Sequence, residues 1–152
     1  MKLAEALALR SDVRKRLDQL RERLKLSALV QEGEEPPEDP RRLLEEMDRL
    51  LAEFTGLVRR INRTNLATPL DSGRSLTDAL AERDTMTLEY SLLQSAVEAA
   101  SPKMNRLTRS EIRTVPTVNV SDLRARMDAL ARRRRELDTS IQAANWSTEL
   151  MD

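Results

Sequence analysis

Leu43, Met47, Leu50, Phe54, Leu57 and Ile61 recur at alternating steps of four and three residues. That spacing returns a side chain to one stripe of an α-helix at every turn, and no strand can use it. Leu44, Leu51 and Val58 lie beside the stripe and widen it beyond what a two-stranded coil buries. A helix of this kind needs apolar cover from more than one direction, which places it in a bundle of three or more helices. Asp39 can cap its start with a carboxylate, and Pro40 suits the first helical position.

Three other segments repeat the pattern. One seam runs Leu3, Ala6, Arg10, Val13, Leu17, Leu20 and Leu24; a second runs Ala79, Arg83, Met86, Tyr90, Leu93, Val97 and Ala100. The third is Leu123, Met127, Leu130, Arg134, Leu137, Ile141 and Ala144. The spacing predicts helices over about residues 3–26, 40–63, 75–100 and 121–146, each roughly 36–39 Å long at 1.5 Å per residue. Ser75 with Asp78 resembles a capping box for the third helix, and Ser121 is expected to cap the fourth. Between helices, Gly33, Pro36 and Pro37 mark one solvated loop and Pro69 and Gly73 another. Residues 101–120 are rich in β-branched side chains, among them Ile112, Val115, Val118 and Val120, with Pro116 fit only for an edge. We expect this stretch to pair with residues 66–70, where Leu66, Thr68 and Leu70 alternate. The fold class is mainly α: an antiparallel bundle of about four long helices with coiled-coil-like seams and a short two-stranded β element, one helical domain over residues 1–152.

Composition sharpens what such a chain can do. There is no cysteine and no histidine among the 152 residues. Disulfides and thiolate chemistry are excluded, along with the commonest metal ligand and general base. No pair of carboxylates is organised for catalysis, so we expect no enzyme activity, no cofactor and no metal site. The longest apolar run is four residues, Ala6 to Leu9, far short of a membrane span. Glu5, Arg10 and Asp12 stand where a secretory signal would be apolar, and a cytoplasmic address is expected. Formal charge is zero, yet residues 1–30 carry 8 basic and 4 acidic groups whereas residues 31–60 carry 5 and 9. Residues 61–100 carry 3 and 6, and residues 101–152 carry 10 and 7. Basic outer quarters around an acidic middle suit helices that complement one another's charge better than they suit a polyanion.

Three groups of residues stand out as candidate sites. Arg132-Arg-Arg-Arg135 is the densest charge run, and a phosphate-binding patch is one reading of it. Four consecutive positions spread around a helix, however, and Phe54, Tyr90 and Trp146 are the only aromatics available to stack on bases. Nucleic acid is therefore not the expected partner. Arg10, Arg83 and Arg134 occupy seam positions where leucine belongs; with Glu53 they are expected to form a buried charge layer that fixes register, an anion or substrate pocket being the rival reading. Asn62, Arg63, Thr64 and Asn65 end the second helix as Asn145 and Trp146 end the fourth. In an antiparallel bundle those ends adjoin, giving a candidate polar site, although such residues commonly terminate helices by bonding the last carbonyls. No particular small-molecule ligand is indicated.

Several short motifs carry a resemblance. They are the opening Met-Lys-Leu-Ala-Glu-Ala-Leu at residues 1–7, Arg16-Leu-Asp-Gln-Leu-Arg-Glu-Arg-Leu24 and Val30-Gln-Glu-Gly-Glu-Glu-Pro36. Ile61-Asn-Arg-Thr-Asn65, Leu76-Thr-Asp-Ala-Leu80, Arg109-Ser-Glu-Ile112 and Asn145-Trp-Ser-Thr148 follow in order. Over essentially its full length the chain resembles a small uncharacterised bacterial helical family sometimes labelled septicolysin-like. That label implies a pore-forming cytolysin, and the family supplies no catalytic or binding residues to carry over. The residues themselves point to a structural or interaction protein that self-associates through amphipathic helices, since one chain cannot cover stripes this wide. The pore-former, and a weak nucleic-acid or anion binder, are the alternatives.

Overall fold

In the computed structural model, residues 1–71, 73–101 and 113–152 are described. The sequence points to one helical domain over residues 1–152; the structure divides into two compact units, Met1–Leu76 with Gln142–Asp152, and Thr77–Ile141. Four long helices occur among the described residues: α1 (Leu3–Ser27), α2 (Pro40–Ala67), α3 (Leu76–Ala100) and α4 (Val120–Ser147). Two short strands, β1 (Pro69–Asp71) and β2 (Arg74–Ser75), join α2 to α3.

The helix boundaries have identifiable causes. Glu5 accepts a hydrogen bond from the Lys2 N–H at 2.7 Å, satisfying one amide ahead of α1. Asp39 caps α2 as expected, accepting from the Arg41 N–H at 3.0 Å, with Pro40 in the first turn. α2 runs past residue 63 to Ala67 because its threonines support the last turns. The Thr64 hydroxyl donates to the Arg60 carbonyl at 2.8 Å, and the Thr68 N–H donates to the Thr64 carbonyl at 2.9 Å. Pro69 then supplies no N–H to continue. α4 is capped by Asn119 rather than Ser121: Asn119 Oδ1 accepts from the Asp122 N–H at 3.1 Å, and the helix begins at Val120.

The β element also differs from expectation. Among the described residues β1 pairs antiparallel with β2, joining Pro69 to Ser75 and Asp71 to Arg74 with an irregular register between them. Gly73, at φ +96°, allows the tight reversal that makes this local pairing possible. The Arg74 guanidinium holds the Asp71 carboxylate and keeps it ionised below the usual carboxylate range. Residues 102–112 of the expected partner strand lie outside the described residues, and residues 113–119 form no strand.

In the first unit α1 and α2 lie side by side. Ala6, Val13 and Leu20 from α1 and Leu43, Leu50, Leu57 and Ile61 from α2 are buried there. Every one of them except Ala6 is a branched aliphatic residue on a predicted seam, as knobs-into-holes packing prefers. The tail after α4 closes this unit. Lys2 and Glu149 form an antiparallel bridge, with the Leu3 N–H donating to Thr148 O at 2.9 Å and the Leu150 N–H to Met1 O at 2.8 Å. One residue on, the Met151 N–H donates to Thr64 Oγ at 2.9 Å. In the second unit α3 and α4 run antiparallel, since Arg83 pairs with Asp138 and Glu89 with Arg126. Met86, Val97, Leu130 and Leu137 are buried in that unit.

Thr64 is the residue on which the tail depends, being fully buried with its hydroxyl both donating and accepting. Thr64→Val keeps the volume and removes the hydroxyl, and should lower unfolding stability by about 1 kcal/mol. Urea denaturation checks this; Thr64→Ser should retain the tail contact, and equal losses in the two variants would contradict the assignment.

Candidate functional site

Each of α1 and α2 carries more apolar surface than the other covers. After the inner stripe is spent, Leu17 and Leu24 of α1 and Leu44, Met47, Leu51 and Phe54 of α2 line an open groove of about 840 Å³. Leu44 and Leu51 remain 46% and 44% exposed, although they belong to the widened stripe that the sequence marks for burial. The groove is a large apolar concavity, and such concavities are the default binding surfaces of proteins.

Charge is distributed unevenly around it. Arg14, Arg21 and Lys25 stand along the α1 wall with Asp18 as the acidic member. Asp18 is shared by Arg21 at 3.2 Å and Arg14 at 3.9 Å. Lys25 pairs with Glu22 at 2.9 Å, and holds its carboxyl below the usual carboxylate range. The α1 wall of the groove thus sets Arg14, Arg21 and Lys25, each ion-paired along its own helix, beside Leu17 and Leu24, and the α2 wall is apolar.

A smaller and more polar recess lies at the same helix pair, where Arg23 of α1 meets the start of α2. Its guanidinium donates to both Glu38 oxygens, at 2.6 and 2.9 Å, and to Glu46 at 3.3 Å. The hydrogen bond from Arg23 holds the Glu38 carboxyl well below its ordinary range, and Arg23 is itself raised by these two carboxylates. This is a bidentate clamp that pins the loop before α2. Both carboxylates are engaged by Arg23.

The candidates read from the sequence are placed as follows. Asn62 and Arg63 are exposed, Thr64 is buried, Asn65 is half-buried, Asn145 is buried and Trp146 is 64% exposed. Thr64 and Asn145 fall in the same compact unit, and the chain after α4 reaches α2: Arg60 donates to the Met151 carbonyl at 3.0 Å and Arg63 to the Asp152 carbonyl. The helix ends adjoin, but the polar groups close the fold upon itself, while Asn62 and Trp146 point to solvent.

The expected buried charge layer is not formed. Glu53 is exposed, Arg10 and Arg134 are half-buried, and Arg83 finds its carboxylates at Asp84 (3.2 Å) and Asp138 (3.7 Å). Heptad position fixes where a Cα lies, whereas an arginine stem is long enough to lay its methylenes on the seam and carry its guanidinium out. No group of three or more acidic side chains suited to a metal ion occurs among the described residues, and no helix there is long and apolar enough to cross a membrane. The width of the α2 stripe, through Leu44 and Leu51, pointed to surplus apolar surface, but spacing does not place the groove that this surplus lines.

Comparison with known proteins agrees with this architecture. A model of a family of unknown function, DUF6847, matches residues 10–150, and the chain belongs to that family. The chain is similar to a functionally unknown conserved protein from Corynebacterium diphtheriae whose crystal structure is known: 40% identity, 99% of each chain covered, and a TM-score of 0.93. None of the curated proteins matches it.

The Arg23 clamp yields a pH dependence with a definite sign. A carboxyl depressed in the folded state adds stability above its unfolded pKa, about 4.3 for glutamate, and loses it as pH falls through the folded value. Glu38→Gln should therefore be less stable than the parent at pH 7, and the gap should close below about pH 4. Urea midpoints across that range check it; a gap unchanged by pH would contradict the clamp.

Proposed function

We propose that this member of the DUF6847 family is a cytoplasmic, non-catalytic interaction protein that self-associates through the amphipathic faces of its helices. The observation that carries the reading is the α1–α2 groove, where Leu44 and Leu51 stay exposed and Leu17 and Leu24 half-buried in the single chain. Apolar surface of this extent is costly to leave wet, at about 25 cal/mol per Å², and rimmed by charge it has the make-up of an association surface. The heptad seams support the same reading, because coiled-coil packing extends readily from one chain to the next. That the chain lacks histidine and cysteine, and that Arg23 engages the Glu38 and Glu46 carboxylates, supports a role without chemistry of its own.

The two alternatives have less behind them. Pore formation rests on the septicolysin-like resemblance, and it requires release of dye from liposomes at nanomolar protein. Polyanion binding rests on Arg132, Arg133, Arg134 and Arg135, which spread around α4, Arg132 being paired with Glu136 at 3.2 Å. A phosphate backbone is better met by cations gathered on one face.

Sedimentation equilibrium at micromolar protein should give a mass above that of the 17.4 kDa chain. Leu44→Glu with Leu51→Glu should weaken association at least tenfold while leaving the helical circular dichroism unchanged. A 17.4 kDa monomer across the whole concentration range would overturn the reading.

A further inference from the structure

We infer that the groove between α1 and α2 receives the outward face of α3 from a second copy of this chain. The inference rests on the self-association proposed above and specifies the surface that meets the groove. α3 has two faces. Ala79, Met86 and Val97 are buried on one. Ala81, Thr85, Leu88, Leu92, Ser95 and Ala99 lie on the other, at alternating steps of four and three, and all six are exposed. Leu88 and Leu92 are 61% and 64% exposed, the two largest apolar side chains of a heptad stripe flanked by small residues. A seam of that composition lets a helix approach closely and insert two leucines.

Length and charge select this helix. The stripe from Ala81 to Ala99 is about 27 Å long, and the groove from Arg14 to Ala28 about 21 Å, at 1.5 Å per residue. Along α1, seven basic residues face four acidic ones, and the groove wall itself presents Arg14, Arg21 and Lys25 against Asp18. α2 and α4 each carry six basic residues and four acidic ones, so either would bring like charge to that wall. α3 carries five acidic residues, Asp78, Glu82, Asp84, Glu89 and Glu98, against Arg83 alone. It is the one helix of the four with an acidic balance, and Asp84, 74% exposed, lies one turn before Leu88. Opposite charge at the margin of an apolar contact sets partner and register, and excludes the groove of the second copy as its own occupant.

The test uses the full chain and two double variants, one blocking the groove (Leu44→Glu, Leu51→Glu) and one blocking the stripe (Leu88→Lys, Leu92→Lys). Each alone should self-associate at least tenfold more weakly than the parent by sedimentation equilibrium. Mixed, they should recover a 1:1 pair, because one supplies an intact stripe and the other an intact groove. A charge-reversed chain, Arg14→Glu with Arg21→Glu, gives a second readout free of any change to apolar packing. It should associate more weakly, regain affinity for a partner carrying Asp84→Lys, and lose the parent's salt sensitivity. If the stripe variant associates like the parent, or the mixture stays monomeric, the inference is overturned and self-association stands. A parent that is monomeric throughout overturns both.

Discussion

A helix with an apolar face wider than one neighbour can cover sets the terms for this protein. On α2, Leu43, Leu50, Leu57 and Ile61 are spent against α1, and Leu44 and Leu51 on the flank of the same stripe are left over. α1 repeats the arrangement with Val13 and Leu20 inside and Leu17 and Leu24 turned to the groove. A pair of such helices buries its inner seam and leaves its outer seam partly open, Leu17 and Leu24 half-buried and Leu44 and Leu51 exposed. Stability of the unit therefore comes from the first seam, and its availability to a partner from the second.

Polar chemistry in the first unit serves to fix chain paths. Arg23 ties the loop before α2 to α1 through Glu38 and Glu46, which sets where α2 starts. At the other end the chain after α4 is held by the Lys2–Glu149 bridge, by Thr64, and by Arg60. Lys2 and the amino terminus together keep the Glu149 carboxyl ionised below its usual range. The tail contacts join residues more than eighty positions apart, so the unit is complete only once α4 has been made.

The helices were legible in the sequence because heptad spacing, Asp39 with Pro40, and the proline and glycine connections all act within a few residues of one another. Boundaries set by competing local signals were less so. Asn119 and Ser121 are both good caps two positions apart, and propensity does not separate them. The local β1–β2 pairing was not read from the sequence because β-branched content was weighed above the turn chemistry at Gly73, which favours a hairpin with no long loop to close. The seam arginines illustrate a further limit: spacing locates a Cα, and says nothing of where a guanidinium six atoms away will settle. The groove was half legible. The width of the α2 stripe announced surplus apolar surface, but the seam pattern cannot tell whether the surplus is covered from within the chain or from outside it.

Cover of the outer seam of α1 and α2 by another copy, as proposed above, can be read directly by crosslinking. A photo-reactive amino acid placed at Leu51 puts a reporter on the groove wall of an otherwise intact chain. Irradiation at micromolar protein should yield covalent pairs of chains, with peptides from residues 81–99 attached to the labelled α2. Crosslinks confined to a single chain, at every concentration, would contradict the account.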